Sequence, residues 1–275
     1  MRGDSPLNAR FALFTSFGSI GSRASAPRLT RRAGQYTSRV PFDNAIAYVG
    51  HQVHFCRFRE AGTLLKWLGD DLRGQRVLDV AGGDGYWAGQ ARRRGAYAVS
   101  IDLSRSKMVR GARLAYAPAL LETDALRLPF GAATFDRVMS ICAIEHFDDG
   151  PRALAEMARV LVPGGELVMS ADALTRGAQW PRLFDAHCRR YAVKHTYGHE
   201  LLGSLLDERG LDLVEHSYQF RGQQAERFYL AMSSVKGKAA PNAAVFATPL
   251  IAASDRREPN DGGSVVLIRA RKRSS

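Results

Sequence analysis

Through the middle of the chain, short apolar runs alternate with stretches whose apolar positions recur at helical spacing. Val77–Val80 is a strand-like run carrying one acid, and Tyr86–Arg94 after it has helical character. Ala98–Asp102 and Arg105–Ala115 repeat the pair. A short run at Leu120–Thr123 leads into a loop, Asp124–Thr134, before a strand over Phe135–Ile141 and a helix over Arg152–Leu161. Pro163-Gly164-Gly165 turns the chain into a strand over Glu166–Ser170. This alternation predicts a parallel sheet with helices on both faces and right-handed crossovers, an α/β fold.

The flanks read differently. Ile46, Val49 and Val53, then Leu64, Leu65 and Leu68, recur at helix-like spacing, so Phe42–Leu72 is read as mostly helical. This sets three expected parts: an arm over residues 1–40, a helical cap over 41–72 and a main domain over 73–272. After Ser170 the rhythm breaks. Asp172–His199 is an insertion rich in aromatic residues and histidines. A helix over His199–Arg209 ends at Gly210 and feeds a strand over Leu211–Phe220. A second insertion, Arg221–Gly262, precedes a last strand over Ser264–Ala270. It contains the apolar run Ala243–Ile251, too short to span a bilayer but suited to lying on lipid or lining an apolar pocket.

Charge changes the picture only at the ends. The chain of 275 residues has a formal charge of +12, of which residues 1–40 hold +6 and the cluster Arg269, Arg271, Lys272 and Arg273 holds +4. The remainder is +2, too little for a basic face built to follow a phosphate backbone, so no nucleic-acid partner is expected. Cys56, Cys142 and Cys188 are far apart and odd in number, which fits a reducing compartment such as the cytoplasm rather than a disulfide framework. The Arg- and Ser-rich first forty residues read as a solvated arm, with an organelle-targeting segment as the other reading. No stretch is long and apolar enough for a transmembrane helix, which leaves peripheral membrane contact open.

The candidate chemistry starts at Asp79-Val80-Ala81-Gly82-Gly83-Asp84-Gly85. A strand that empties into a glycine turn before a helix offers backbone N–H groups to a ligand. Asp102 ends the next apolar run, seventeen residues past Gly85, a spacing suited to gripping a ribose. Alone, the turn fits hydride transfer as well: counting from Gly83, the third glycine of that fingerprint falls at Ala88, where alanine is tolerated.

The later motifs separate the two. Thr123-Asp124-Ala125 ends the third strand, Phe135-Asp136-Arg137-Val138 opens the fourth, and Leu161-Val162-Pro163-Gly164-Gly165-Glu166 turns into the fifth. In this order and at these distances the set resembles the class I S-adenosylmethionine-dependent methyltransferases, in the group that includes quinone and small-molecule methylases. The resemblance covers roughly residues 76–172. It implies a Rossmann-like, doubly wound sheet of seven strands, with the helical cap at the N-terminus and the insertions after strands 5 and 6. It also implies S-adenosylmethionine as cofactor and a small, hydrophobic acceptor of natural-product, lipid or quinone type. O-methylation is expected before C-methylation. A protein or RNA methylase, or an inactive cofactor-binding subunit, are the alternatives.

The resemblance assigns roles residue by residue. Asp79 would orient the turn and the amino-acid end of the cofactor. Ala81, Gly83 and Gly85 belong to the turn, the glycines allowing close backbone approach. Asp102 would accept from the ribose hydroxyls with Leu103 beside the adenine. Asp124 would accept from the adenine amino group and Ala125 would offer a backbone N–H. Cys142 would meet the methionine end through its carbonyl. His146, in Ile144-Glu145-His146-Phe147, is the candidate proton acceptor. Tyr191, His195 and Tyr197, in the first insertion, are candidate acceptor contacts. His51 and His54 are three apart on the expected cap helix and would share a face.

No metal is expected. The insertion histidines are broken out of helical register by Gly198 and lack a completing carboxylate or cysteine. At the rim, ubiquinone O-methyltransferases add a preceding glutamate to a Glu-His pair to bind a divalent ion. Here Cys142 stands at that position.

Overall fold

The structure is a computed structural model that describes residues 57–114, 119–235 and 247–274. The arm over residues 1–40, the cap up to residue 56 with His51 and His54, Ala115, and the start of the Ala243–Ile251 run lie outside the described residues. One sheet of seven strands runs in the order β3-β2-β1-β4-β5-β7-β6. The strands are β1 Arg76–Val80, β2 Tyr97–Asp102, β3 Ala119–Glu122, β4 Phe135–Ile141, β5 Leu161–Asp172, β6 Leu211–Gln219 and β7 Val265–Lys272. Strands β1 to β5 pair in parallel, and β7 runs antiparallel between β5 and β6. This is the seven-stranded, Rossmann-like class I arrangement that the motifs imply.

Parallel strands covered on both faces must be apolar on both, and these are. Leu78, Val138, Leu167 and Met169 face one core, while Val77, Met139 and Val168 face the other. Over the second core lie α1 (Arg57–Leu68) and α2 (Tyr86–Arg93). Helix α1 packs through Ala61, Leu64, Leu65 and Leu68, one stripe at helical spacing. Helix α3 is Arg105–Leu114. Over the first core lie α4 (Gly150–Val160), through Leu154 and Met157, and α6 (His199–Asp207), through Leu202 and Leu206.

The Pro163-Gly164-Gly165 turn is folded into β5. Phe135 pairs with Leu161 and Arg137 already pairs with Glu166, so the intervening residues bulge out of the ladder. The first insertion carries α5 (Pro181–Tyr191). The second carries α7 (Gln223–Ser234) and α8 (Thr248–Asp255), so the described end of the Ala243–Ile251 run begins a helix. No helix among the described residues is long and apolar enough to cross a membrane.

Candidate cofactor site

The glycine turn joins β1 to α2, and its backbone alternates in hand. Ala81, Gly83 and Gly85 have φ of 57°, 65° and 79°, the left-handed region where a side chain costs energy. Ala81 therefore occupies a conformation better suited to glycine. Gly82 is fixed by contact instead: a Cβ there would lie 2.2 Å from Asp79 Oδ2 and 2.3 Å from Ser100 Oγ.

The amides of this turn are mostly used internally. Gly82 N–H donates to Ile101 O at 2.9 Å and Gly85 N–H to Gly82 O at 3.1 Å. Gly83 N–H donates to Asp102 Oδ2 at 2.9 Å, Tyr86 N–H to Asp84 Oδ1 at 3.3 Å, and Ala88 N–H to Asp79 Oδ2 at 3.2 Å. The sequence expectation that these groups face a ligand holds for none of the five. Three go to carboxylates and two to backbone carbonyls, so these five do not form an anion cradle.

Asp79 is wholly buried at the floor. Its Oδ2 accepts from Ala88 N–H and from Ser100 Oγ at 3.3 Å, while Oδ1 has no hydrogen-bond partner among the described residues. Burial is the main cause that pushes its carboxyl up to about 7, opposed by the Ala88 and Ser100 hydrogen bonds. Asp102 accepts from Gly83 N–H with Oδ2 and from Ser104 N–H, at 2.7 Å, with Oδ1. A carboxylate has about four lone-pair sites, so both oxygens keep capacity for hydroxyls.

A cavity of about 220 Å³ opens over this floor. Asp79, Ala81, Gly83 and Cys142 of the sequence reading line it, together with residues outside that reading: Arg57 from α1, Gly82, Asp84, Trp87, Lys107 and Arg110. Lys107 Nζ lies 3.8 Å from Asp102 Oδ2, and Arg110 pairs with Asp84 at 3.0 Å. No periodic signal marks these cations: Arg57 comes from a helix before β1, and Lys107 and Arg110 are exposed side chains of α3 at the cavity's edge. Gly85, Asp102, Leu103, Asp124 and Ala125 do not line the cavity itself. Asp102 is joined to it through Gly83, Leu103 is exposed on the flank, and Asp124, also exposed, accepts from Leu126 N–H at 2.9 Å.

Beyond β4 the wall is polar and buried. Cys142 has φ of 50°, and its N–H is shared between Ser170 O at 3.1 Å and Ser170 Oγ at 3.0 Å. Burial pushes its thiol well up, and burial with the Asp172 charge pushes Glu145 up to about 8. His146 is half-buried, and burial holds its imidazole below the ordinary value. Its Nδ1 sits 3.3 Å from Ala192 O, a carbonyl that can only accept, so Nδ1 carries the hydrogen of that bond.

The candidate acceptor residues are not gathered around one cavity. Tyr197 is a core residue whose hydroxyl packs against Gly150, His195 faces solvent 6.4 Å away between ring centres, and Tyr191 lies against His187 at 5.0 Å. Sequence neighbours in an irregular segment need not share a direction. His187, which the sequence reading passed over, is buried and bonded to Asp172 and Ser233.

A family model described as a methyltransferase domain matches residues 78–169. Methyltransferase GfsG of Streptomyces halstedii is 32% identical over 156 residues, which cover 53% of this chain and 56% of that protein. A malonyl-[acyl-carrier protein] O-methyltransferase of Erwinia billingiae is 35% identical over 115 residues, covering 40% of this chain and 46% of that one. The chain thus spans about half the length of these curated relatives. Geranyl diphosphate C-methyltransferase from Streptomyces coelicolor, solved with Mg2+, geranyl diphosphate and S-adenosyl-L-homocysteine, superposes with a TM-score of 0.58 at 18% identity, covering 78% of this chain and 79% of that one. That likeness shows the fold.

Proposed function

We propose that this chain, whose residues 78–169 form a class I methyltransferase domain, moves a methyl group from S-adenosylmethionine to a small, hydrophobic acceptor. The observation that carries the reading is the state of the glycine turn. Three N–H groups of the turn and helix start are spent on Asp102, Asp84 and Asp79, and Asp79 Oδ1 is buried with no hydrogen-bond partner among the described residues. Such a floor disfavours a pyrophosphate and suits a ligand bearing an ammonium, a sulfonium and ribose hydroxyls.

When bound, the cofactor supplies a methyl group already made electrophilic by its sulfonium. The chain's part is placement. Asp79 would hold the amino group and Asp102 the ribose, with Leu103 and Asp124 on the adenine side. Gly82 and Gly83 keep the floor low enough for close approach. Arg57, Lys107 and Arg110 are cations within the same cavity, available to the cofactor's carboxylate. The half-buried Trp180, Leu183, Phe184, Phe228 and Met232 of the two insertions support an apolar acceptor. Oxygen is the favoured acceptor atom and carbon the next, in line with the O- and C-methyl transfer named for its relatives.

Calorimetric titration tests the reading. S-adenosylhomocysteine is expected to bind and NAD not to, and Asp102→Ala should weaken binding at least about tenfold, the worth of one charge-assisted hydrogen bond. Binding of NAD in place of S-adenosylhomocysteine would sink it.

A further inference from the structure

A second cavity, of about 580 Å³, lies between α1 and the edge strand β6, and it shares no lining residue with the cofactor cavity. Its size falls within the roughly 300–1,000 Å³ of small-molecule sites. Helix α1 contributes Arg59, Gly62, Lys66 and Trp67, while β6 and the turn after it contribute Glu215 and Arg221. The α1 residues form a stripe beside the one that packs on the core, so the helix meets the sheet with one side and the cavity with the next. Placement of the methyl donor does not call for this cavity.

Two features mark the cavity as built. The first is Gly62. It stands in the middle of α1, where glycine is the poorest helix former after proline. Its backbone is helical, and a Cβ there would meet nothing within 4 Å among the described residues. Neither conformation nor packing asks for glycine at this position, and a side chain there would take up the cavity's room. The second feature is charge. Arg59 Nη1 donates to Oδ2 of the buried Asp255, which also accepts from Phe220 N–H at 3.0 Å and from Arg221 N–H at 2.9 Å. The Arg221 guanidinium donates to Tyr218 O at 2.8 Å, Ser217 Oγ at 3.0 Å and Asp255 O at 3.3 Å. Both guanidiniums are thereby fixed in place, and each carries more N–H groups than these bonds use. Lys66 is exposed and has no ion pair among the described residues. Three cations stand against Glu215 on the wall and Asp255 behind it, so positive charge is left over. Trp67, half-buried against the second core, adds an aromatic ring to the wall.

We propose that this cavity is a ligand site, apart from that of the methyl donor, for a small molecule that joins a flat ring to an anionic group. The anionic group meets Lys66 and the spare N–H groups of Arg59, and the ring lies against Trp67 in the room that Gly62 leaves. Arg57 and Arg59, two residues apart on α1, then serve different cavities. The site does not depend on the methyl-transfer reading.

The full chain is titrated with 1-anilinonaphthalene-8-sulfonate, aromatic rings carrying one sulfonate, and followed by dye fluorescence. One equivalent should bind, equally well with and without saturating S-adenosylhomocysteine. N-phenyl-1-naphthylamine, the same rings without the sulfonate, should bind at least about tenfold more weakly, the loss of one charge-assisted hydrogen bond. Gly62→Leu fills the cavity with a better helix former, and Lys66→Glu reverses the charge on its wall. Each should weaken binding of the sulfonate dye by at least about tenfold. Circular dichroism checks the fold of each variant, and should Gly62→Leu not fold, Lys66→Glu decides. Failure of the sulfonate dye to bind, equal affinity for the neutral dye, or affinity unchanged in either folded variant overturns the proposal. So does displacement of the dye by S-adenosylhomocysteine, which would put the dye in the cofactor cavity.

Discussion

Asp79 has one oxygen bound and the other without a hydrogen-bond partner among the described residues, and burial pushes its carboxyl up to about 7. An acid whose folded value lies above its unfolded one costs stability once the unfolded chain ionises. That cost is absent below about pH 4, grows as pH rises, and is complete above about 7. Relative to the wild type, Asp79→Asn should therefore gain stability between pH 4 and 7, read as a rising difference in urea midpoint. A cofactor ammonium favours the ionised form, so S-adenosylhomocysteine affinity should rise through pH 6–7.5 with release of a proton, and flatten in Asp79→Asn. Calorimetry in two buffers of different ionisation enthalpy measures that proton; equal heats in both would dismiss the role. Gly82 gives a second prediction. A methyl group there meets Asp79 and Ser100 side chains at 2.2 and 2.3 Å, so Gly82→Ala should cost about 1–3 kcal/mol in unfolding free energy and lower S-adenosylhomocysteine affinity. The neighbours Gly83 and Gly85 are legible in the sequence because their need is a local, left-handed backbone. The need for Gly82 is not, since it arises from Ser100 on the next strand.

Elements were the most legible scale, because a period of hydrophobicity is a property of the segment itself. The expected β4 coincides with Phe135–Ile141, and the expected β2 and last strand each lie within about two residues of the observed ends. Helix α4 starts at Gly150, two residues before the sequence reading places it, and its signal is present: Asp149 accepts from Arg152 N–H at 2.8 Å, and Pro151 stands in the first turn. Asp149→Ala should cost about 1 kcal/mol of stability, seen in the urea midpoint, while Asp149→Asn should cost far less. An equal loss in both would point to charge rather than the cap. The insertions were not legible in the same way. Tyr191, His195 and Tyr197 are read from the sequence as acceptor contacts, while the chain from 192 to 198 is irregular, and Tyr197, His195 and Tyr191 point to core, solvent and His187 respectively. Without a helical or strand period, spacing says nothing about direction.

In the whole molecule, the sheet holds the cofactor residues at β1 and β2, and the insertions are held to it by one buried network. Asp172, at the end of β5, receives His187 Nε2 at 2.7 Å from α5 and Tyr229 OH at 2.9 Å from α7, while His187 Nδ1 meets Ser233 Oγ at 2.7 Å. All four side chains are buried. The network joins both insertions to the sheet through groups distant in sequence, which is why no motif announced it. Removing the imidazole takes one buried hydrogen bond from Asp172 Oδ2 and one from Ser233 Oγ, at about 1–3 kcal/mol each. His187→Ala should therefore lower the urea midpoint strongly with the slope unchanged, and Tyr229→Phe should lower the unfolding free energy by about 1.5–3 kcal/mol, one hydrogen bond to a charged group. Neither side chain lines the cofactor cavity, so S-adenosylhomocysteine affinity should stay within about twofold of the wild type in both, measured where each variant is folded. A midpoint that does not move in His187→Ala would mean the insertions are held by apolar packing alone. Loss of cofactor affinity in Tyr229→Phe would mean the two halves of the site are coupled through β5, because β5 is the strand that carries Asp172 and also Ser170, the acceptor for the Cys142 N–H.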